Sequence, residues 1–441
     1  MGARSTRRLL RACAAALAVG LSTGLVVAAY RLALHSAMAT HDRAWTALPR
    51  LGAIGWATLV AATAAAGAAA RLVVKHLAPE ATGSGVPTVE ERLRGGAPLR
   101  WRRILPAKFG GGLLATVTGM SLGPEGPSVH MGACLGEAIA GGAIRDDRLR
   151  RALVAAGSSA GLAGVFDAPV SGILFAFEEL RCERALLPCA TVVVAALASR
   201  FVGGRVFGEG PLLGPVDLPT PGAVAIVLAA ACGLLCGATG VLFNAAIVAV
   251  ANFRDRRALV PDEAKAAVSA ACAIPVGFLL PSAWFGNLGV LRGLLHGAVV
   301  PGDLAVPALH GTLAGLAVFA AVKLGFTATS YASGAVGGLF APPLVIGAAL
   351  GAIMGRLGDP LAPQAQLPQV LALAGAAAVF AASMRLPLTG IVMVLELTGH
   401  VRNGLAVATS VGVACLVAAA VGAHPLYEAL EARRAIGSQS A

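Results

Sequence analysis

Charge is what this chain has least of. Only 13% of its 441 residues are Asp, Glu, Lys or Arg, where a soluble domain carries about 25%. A water-facing surface cannot be assembled from that supply, so an ordinary soluble fold is excluded. Aromatic residues are sparse too, at 5%. The net charge of +12 comes without the aromatic-studded basic patch of a nucleic-acid binder. Its basic residues fall in short loops, Arg92 to Arg103 and Arg145 to Arg151, as cytoplasmic loops do under the positive-inside rule. Eight cysteines occur without a Cys-x-x-Cys pair. Most lie in apolar runs, where Cys behaves as a small hydrophobe, so neither a thiol redox centre nor a cysteine zinc site is indicated. No His-Glu-x-x-His occurs, which removes the signature of a zinc hydrolase.

What remains is apolar sequence. Ala, Val, Ile, Leu, Met, Phe, Trp, Tyr and Cys make up 57% of the chain, and their long recurring runs predict an all-α polytopic membrane protein. The basic start is followed by an apolar run, Leu9 to Leu34, read as an uncleaved first helix. Residues 1–50 form this helix and a first loop, 51–210 a first transmembrane half, 211–222 a Pro-rich linker, 223–431 a second half and 432–441 a tail. Further runs are expected at Leu51–Val74, Ile104–Met120, Ala152–Leu180, Cys189–Val202, Ala223–Val250, Ala266–Leu280, Ala305–Phe326, Leu344–Met354, Leu371–Leu397 and Leu405–Val421.

One carboxylate stands out. Glu125 lies in Ser121-Leu122-Gly123-Pro124-Glu125-Gly126-Pro127-Ser128-Val129-His130, with apolar sequence on both sides. Gly and Pro break a helix before it, and Pro127 suits the first turn of a new one, where a missing N–H costs nothing. An ionisable group at membrane depth marks a functional site by default; the competing reading is a solvated surface turn. His130 is read as a packed or interfacial residue of the helix that follows.

Similar breaks occur at Gly83-Ser84-Gly85-Val86-Pro87 and Gly334 to Pro342, one in each half. Short, Gly/Pro-interrupted apolar segments at corresponding positions point to a transporter built from repeats. Each break ends where a helix begins, and a helix N-terminus carries unpaired N–H groups and about half a positive charge. Several such ends aimed at one point bind an anion without Lys or Arg, weakly enough to release it. Gly83 and Gly85 would let the backbone approach the ion and Ser84 would donate a hydroxyl. Gly338 and Phe340 would act from the other half, and Tyr427 offers a phenol. The alternatives are helix packing for the glycine clusters and an interfacial anchor for Tyr427. A proton moved alongside the anion would use Glu125 and a second carboxylate. Glu178 and Glu179 end an apolar helix beside Arg181 and Arg184; a solvated pair at the membrane edge is the plainer reading.

Together these motifs resemble the CLC family of chloride channels and chloride/proton exchangers. The match runs from about residue 55 to 431. It is carried by Gly83 to Pro87, Gly123 to Pro127, Gly338-Leu339-Phe340-Ala341-Pro342, Phe166 to Glu179, Arg385 to Glu396 and His424 to Leu430. The resemblance implies an all-α fold of inverted repeats of tilted, partly broken transmembrane helices, and a homodimer with one pore per subunit. It makes Glu125 the gating glutamate that also takes the external proton, and Glu179 the internal proton glutamate. Ser84 and Tyr427 become side-chain ligands of the central chloride, with Leu339 and Phe340 as backbone donors. Gly123, Gly126, Pro127, Pro87 and Pro342 complete the selectivity motifs. Ser84 is the residue type that goes with chloride, and a carboxylate at 179 goes with exchange. The CBS-domain pair of many relatives is not expected. Two departures stand out: Pro124 replaces a usual basic residue, and Asp167 a usual Asn.

The expectation is therefore a chloride/proton antiporter of the cell (inner) membrane with both termini cytoplasmic, the alternative being a passive voltage- or pH-gated chloride channel of the same fold. Its partners would be chloride, protons and the lipid bilayer. No cofactor, metal, nucleic-acid partner or enzymatic activity is expected.

Overall fold

Proline and glycine set where the helices start and stop. The structure, a computed structural model, describes residues 3–256, 259–297 and 311–439. Residues 305–310 of one expected run, together with 1–2 and 440–441 of the expected terminal segments, lie outside them. The first half contains α1 (Ala3–Ala47), α2 (Gly52–Leu77), α3 (Val86–Leu93), α4 (Trp101–Val117), α5 (Glu125–Ala143), α6 (Asp147–Phe166), α7 (Pro169–Glu178) and α8 (Leu186–Phe207). The second contains α9 (Ala223–Asp255), α10 (Asp262–Ala271), α11 (Ala273–Leu279), α12 (Leu288–Leu295), α13 (Leu313–Ala332), α14 (Ala341–Gly358), α15 (Leu367–Met384), α16 (Pro387–Thr398), α17 (Gly404–Ala420) and α18 (Leu426–Gln439). Among the described residues, six helical stretches are long and apolar enough to cross a bilayer, while α7, α16 and α17 are shorter apolar helices.

The apolar run expected over Ala266–Leu280 is two helices rather than one, because Pro275 has no N–H for the Ala271 carbonyl and the chain re-nucleates after Cys272. Elsewhere Pro87, Pro169, Pro342 and Pro387 all fall in the first turn of a helix, where proline is pre-organised rather than disruptive.

The two halves repeat. In the first, a break is followed by α5, α6, α7 and α8; in the second, a break is followed by α14, α15, α16 and α17. Helix α5 packs on α6 as α14 packs on α15. Both contacts are backbone on backbone: a Cβ on Gly132 would overlap the Gly157 carbonyl, and one on Gly347 would overlap that of Gly375. Small residues at such crossings are how helices pack closely when lipid removes the hydrophobic drive. Residues 152–166 of α6 are all buried, as is nearly all of α15, so these two form the protein-enclosed centre of each half.

The symmetry reaches single residues. Pro169-Val170-Ser171-Gly172-Ile173 leads to Glu178 with the same spacing as Pro387-Leu388-Thr389-Gly390-Ile391 leads to Glu396. Each helix caps the other. The Glu396 carboxylate accepts from Val170 N (2.9 Å), Ser171 N (2.8 Å) and Ser171 Oγ (2.5 Å). The Glu178 carboxylate accepts from Leu388 N (3.0 Å), Thr389 N (2.7 Å) and Thr389 Oγ1 (2.6 Å). Half-helices inside a bilayer leave orphan N–H groups that water cannot satisfy; here a carboxylate from the opposite repeat supplies both the acceptor and the charge favoured at a helix N-terminus.

Candidate functional site

The three glycine-rich breaks meet. Gly123 N donates to Gly338 O (3.0 Å) and Gly338 N to Gly123 O (2.7 Å), while Gly337 N donates to Gly83 O (3.2 Å). These bonds join both halves through loop backbone alone, and the only isolated β-bridge among the described residues is the pair Gly123–Gly338. Irregular backbone at this depth persists because protein surrounds it: Ser84, Ser121, Glu125 and Leu339 are fully buried.

Glu125 starts α5, and its side chain turns onto the first turn of α14. Its Oε1 accepts from Phe340 N (2.6 Å) and Ala341 N (3.0 Å), and Oε2 has no partner among the described residues. A carboxylate thus occupies the N–H groups of a helix N-terminus, which is where a free anion would bind. Gly123 and Gly126 leave the room: a Cβ on Gly123 would strike the Glu125 carboxylate, and one on Gly126 would press on Ser84 at 2.8 Å. Pro124 and Pro127 flank the turn.

Below the carboxylate lies a second polar point. Gly83 and Gly85 have φ of 66° and 86°, conformations glycine adopts without strain, and they bring Ser84 to the start of α3. Tyr427, in the first turn of α18, is buried; its hydroxyl faces Ser84 and forms no hydrogen bond among the described residues. Its ring lies 6.3 Å from Phe340, which in turn contacts Phe175 (5.7 Å) and Phe380 (5.1 Å). The structure therefore gathers Gly83, Ser84, Gly85, Glu125, Gly338, Leu339, Phe340 and Tyr427, drawn from four separated segments, into one buried cluster.

Glu179 lies apart from this cluster, at the C-terminal end of α7 and half-buried. It lines a cavity of about 190 Å³ with Glu90, Arg94, Arg148, Arg151 and Arg181. Its carboxyl faces that of Glu90 on α3. Glu178 instead caps α16, so the adjacent acids have separate surroundings. A larger cavity of about 370 Å³ is lined by Gly123, Pro124 and Ala341, which adjoin Glu125 and its N–H partners.

Several residues here were not among the sequence candidates. Ala341 donates to Glu125 beside Phe340. Lys108 is fully buried and donates to Gly83 O at 2.7 Å, and Lys323, also buried, donates to the carbonyls of Ala283 (2.9 Å), Trp284 (3.4 Å) and Phe285. The signal was present: each is a single cation inside an apolar run. Glu90 carries no such signal, because its short helix reads as part of a charged loop. His130 is fully buried against Gly85 rather than interfacial. The spacing Gly-x-Ser-x-Gly does occur, at Gly157-Ser158-Ser159-Ala160-Gly161, but it lies in the interior of α6 as a packing surface against α5, not on the strand-to-helix turn that a nucleophile elbow requires.

Comparison with known proteins agrees with this geometry. The family model described as voltage gated chloride channel matches residues 66–419. The H(+)/Cl(-) exchange transporter ClcA of Vibrio parahaemolyticus is 31% identical over 93% of this chain and 87% of its own length. The protein of that name from Yersinia pestis bv. Antiqua (strain Angola) is 36% identical over 82% of this chain and 74% of its own. A crystal structure of a slow cyanobacterial Cl-/H+ antiporter superposes with a TM-score of 0.86 at 28% identity, over 96% of this chain and 98% of that one. With the family model spanning most of the sequence, and with helix breaks that converge on a buried glutamate, this chain belongs to the voltage gated chloride channel family.

Proposed function

We propose that the protein exchanges chloride for protons across the cell (inner) membrane, as an antiporter with one path per subunit of a homodimer. The observation that carries this reading is the Glu125 carboxylate bonded to Phe340 N and Ala341 N. A group that occupies an anion's site as a carboxylate and gives up its charge on protonation ties anion movement to proton movement at one residue. Chloride would be held by Ser84, Tyr427 and the loop N–H groups, with dipoles and hydroxyls that bind without trapping. Glu179, in its own cavity, would pass protons to the cytoplasm. The Arg-rich loops lie on the Glu179 side, which supports placing that face, with both termini, inside. Two relatives named H(+)/Cl(-) exchange transporter support exchange over passive conduction. Transport of this kind needs no bound cofactor.

The test is simultaneous chloride and proton flux in proteoliposomes. A chloride gradient should drive protons in the opposite direction. Chloride flux that moves no protons would replace this reading with the passive channel. Glu179→Ala should keep chloride flux and lose proton movement, and Glu125→Ala should make flux insensitive to pH; intact coupling in Glu179→Ala would remove Glu179 from the path.

A further inference from the structure

The 370 Å³ vestibule above Glu125 ends at Gly123, Pro124 and Ala341, and its charged or titratable lining consists of Arg31, His35 and Arg292, with Tyr30. No Asp or Glu is among the described residues that line it. Arg31 is already engaged: its guanidinium donates to Gly164 O (2.9 Å) and pairs with Asp167 (3.0 Å), with Arg200 another 4.0 Å from the same carboxylate. Arg292, on α12, differs. It is exposed, and among the described residues it forms no ion pair. Its guanidinium hangs beside Gly214 of the linker that follows α8. At the vestibule floor the residue next to the gate is Pro124, which has neither charge nor N–H. A cleft lined by one sign of charge with low-dielectric walls focuses its field and concentrates the opposite ion. Lys323 interacts electrostatically with Glu125 from behind the wall but does not line the cleft; among the lining residues, the cation without an ion pair lies on the rim.

We propose that Arg292 is the outer anion-collecting residue of the transport path, raising local chloride above Glu125 in place of a cation at 124. This rests on the chloride-transport reading. The work is long-range and screened, since Arg292 touches no buried ligand site. The Arg31–Asp167 pair is a wall element that contributes little net charge.

Chloride uptake into proteoliposomes is measured against outer chloride at low ionic strength, and again with about 1 M potassium gluconate, where the Debye length shrinks to roughly 3 Å. Arg292→Glu should raise the half-saturating outer chloride by about 3- to 10-fold at low salt, and by less than about twofold at high salt. The same variant measured from the Glu179 side should show no shift. Arg292→Lys should match the wild type, and Pro124→Arg should restore low half-saturation in the Arg292→Gln background. An unchanged outer half-saturation, an equal shift from both sides, or a shift that survives high salt overturns the proposal. If the wild-type protein itself passes no chloride, the underlying transport reading fails instead, so the two failures are distinct.

Discussion

Replacing Glu396 by Ala removes the acceptor from three hydrogen bonds, those from Val170 N, Ser171 N and Ser171 Oγ. The serine hydroxyl can rotate to another partner, but the two backbone N–H groups cannot. A hydrogen bond to a charged group contributes about 1.5–3 kcal/mol, and a stranded buried donor costs about 1–3 kcal/mol. Because Val170 is exposed to its surroundings and Ser171 is buried, the Ser171 N–H dominates, and the total comes to about 3–5 kcal/mol. At about 2 °C per kcal/mol for a chain of this size, Glu396→Ala should melt about 6–10 °C below wild type in detergent, followed by the loss of the monodisperse size-exclusion peak on heating. Glu396→Gln keeps one carbonyl oxygen and turns the other acceptor into a donor facing an N–H, so about half that loss is expected. The repeat adds a second requirement. Glu178→Ala removes the matching bonds to Leu388 and Thr389 and should cost the same within about 1 kcal/mol. If Glu396→Ala melts within about 1 °C of wild type, or if one glutamate proves neutral while its counterpart does not, the reciprocal-cap reasoning is wrong.

Other outcomes follow from the same structure. Gly157→Ala places a methyl group against the Gly132 carbonyl, where neither backbone can give way; a loss above about 3 kcal/mol is expected, read as failure to elute as a folded species. Gly110→Ala, with nothing within 4 Å of the added carbon, should behave as wild type. Asp262, at the start of α10, links Arg71 (2.7 Å) to Arg254 (2.8 Å). Burial pushes its carboxyl up, but the two guanidiniums outweigh burial and hold it well below the usual carboxylate range. A carboxyl lowered in the folded state stabilises above its unfolded value, near 3.9, and that stability fades as pH falls toward the folded value. Asp262→Asn should therefore melt below wild type at pH 7, with the gap narrowing as pH drops below about 4. A gap that is constant with pH would mean the pair contributes by packing alone.

The recurring apolar runs and scarce charge made the membrane class legible, and Gly and Pro marked most helix starts because their backbone limits act locally. The three breaks were readable for the same reason, and so was Glu125, since a carboxylate framed by Gly and Pro inside apolar sequence is conspicuous without any partner. Lys108 and Lys323 left a trace as lone cations in apolar runs, yet their carbonyl partners lie on other segments and could not be named. The likeness of Pro169 to Glu178 and Pro387 to Glu396 was also written in the residues, but its meaning was hidden, because two similar strings do not disclose that each caps the other.

The amino-acid order alone determined most of the helical segments, the three glycine-rich breaks and which acid is out of place. Only the folded chain decided that Gly123 pairs with Gly338, that Glu125 lies on the N–H groups of Phe340 and Ala341 rather than in solvent, and that Glu178 is a cap while its neighbour Glu179 opens on a cavity. The reason is physical: helix propensity and chain breaks depend on a few adjacent residues, whereas an N–H donor and its carboxylate here are more than two hundred positions apart and meet only once both repeats have packed.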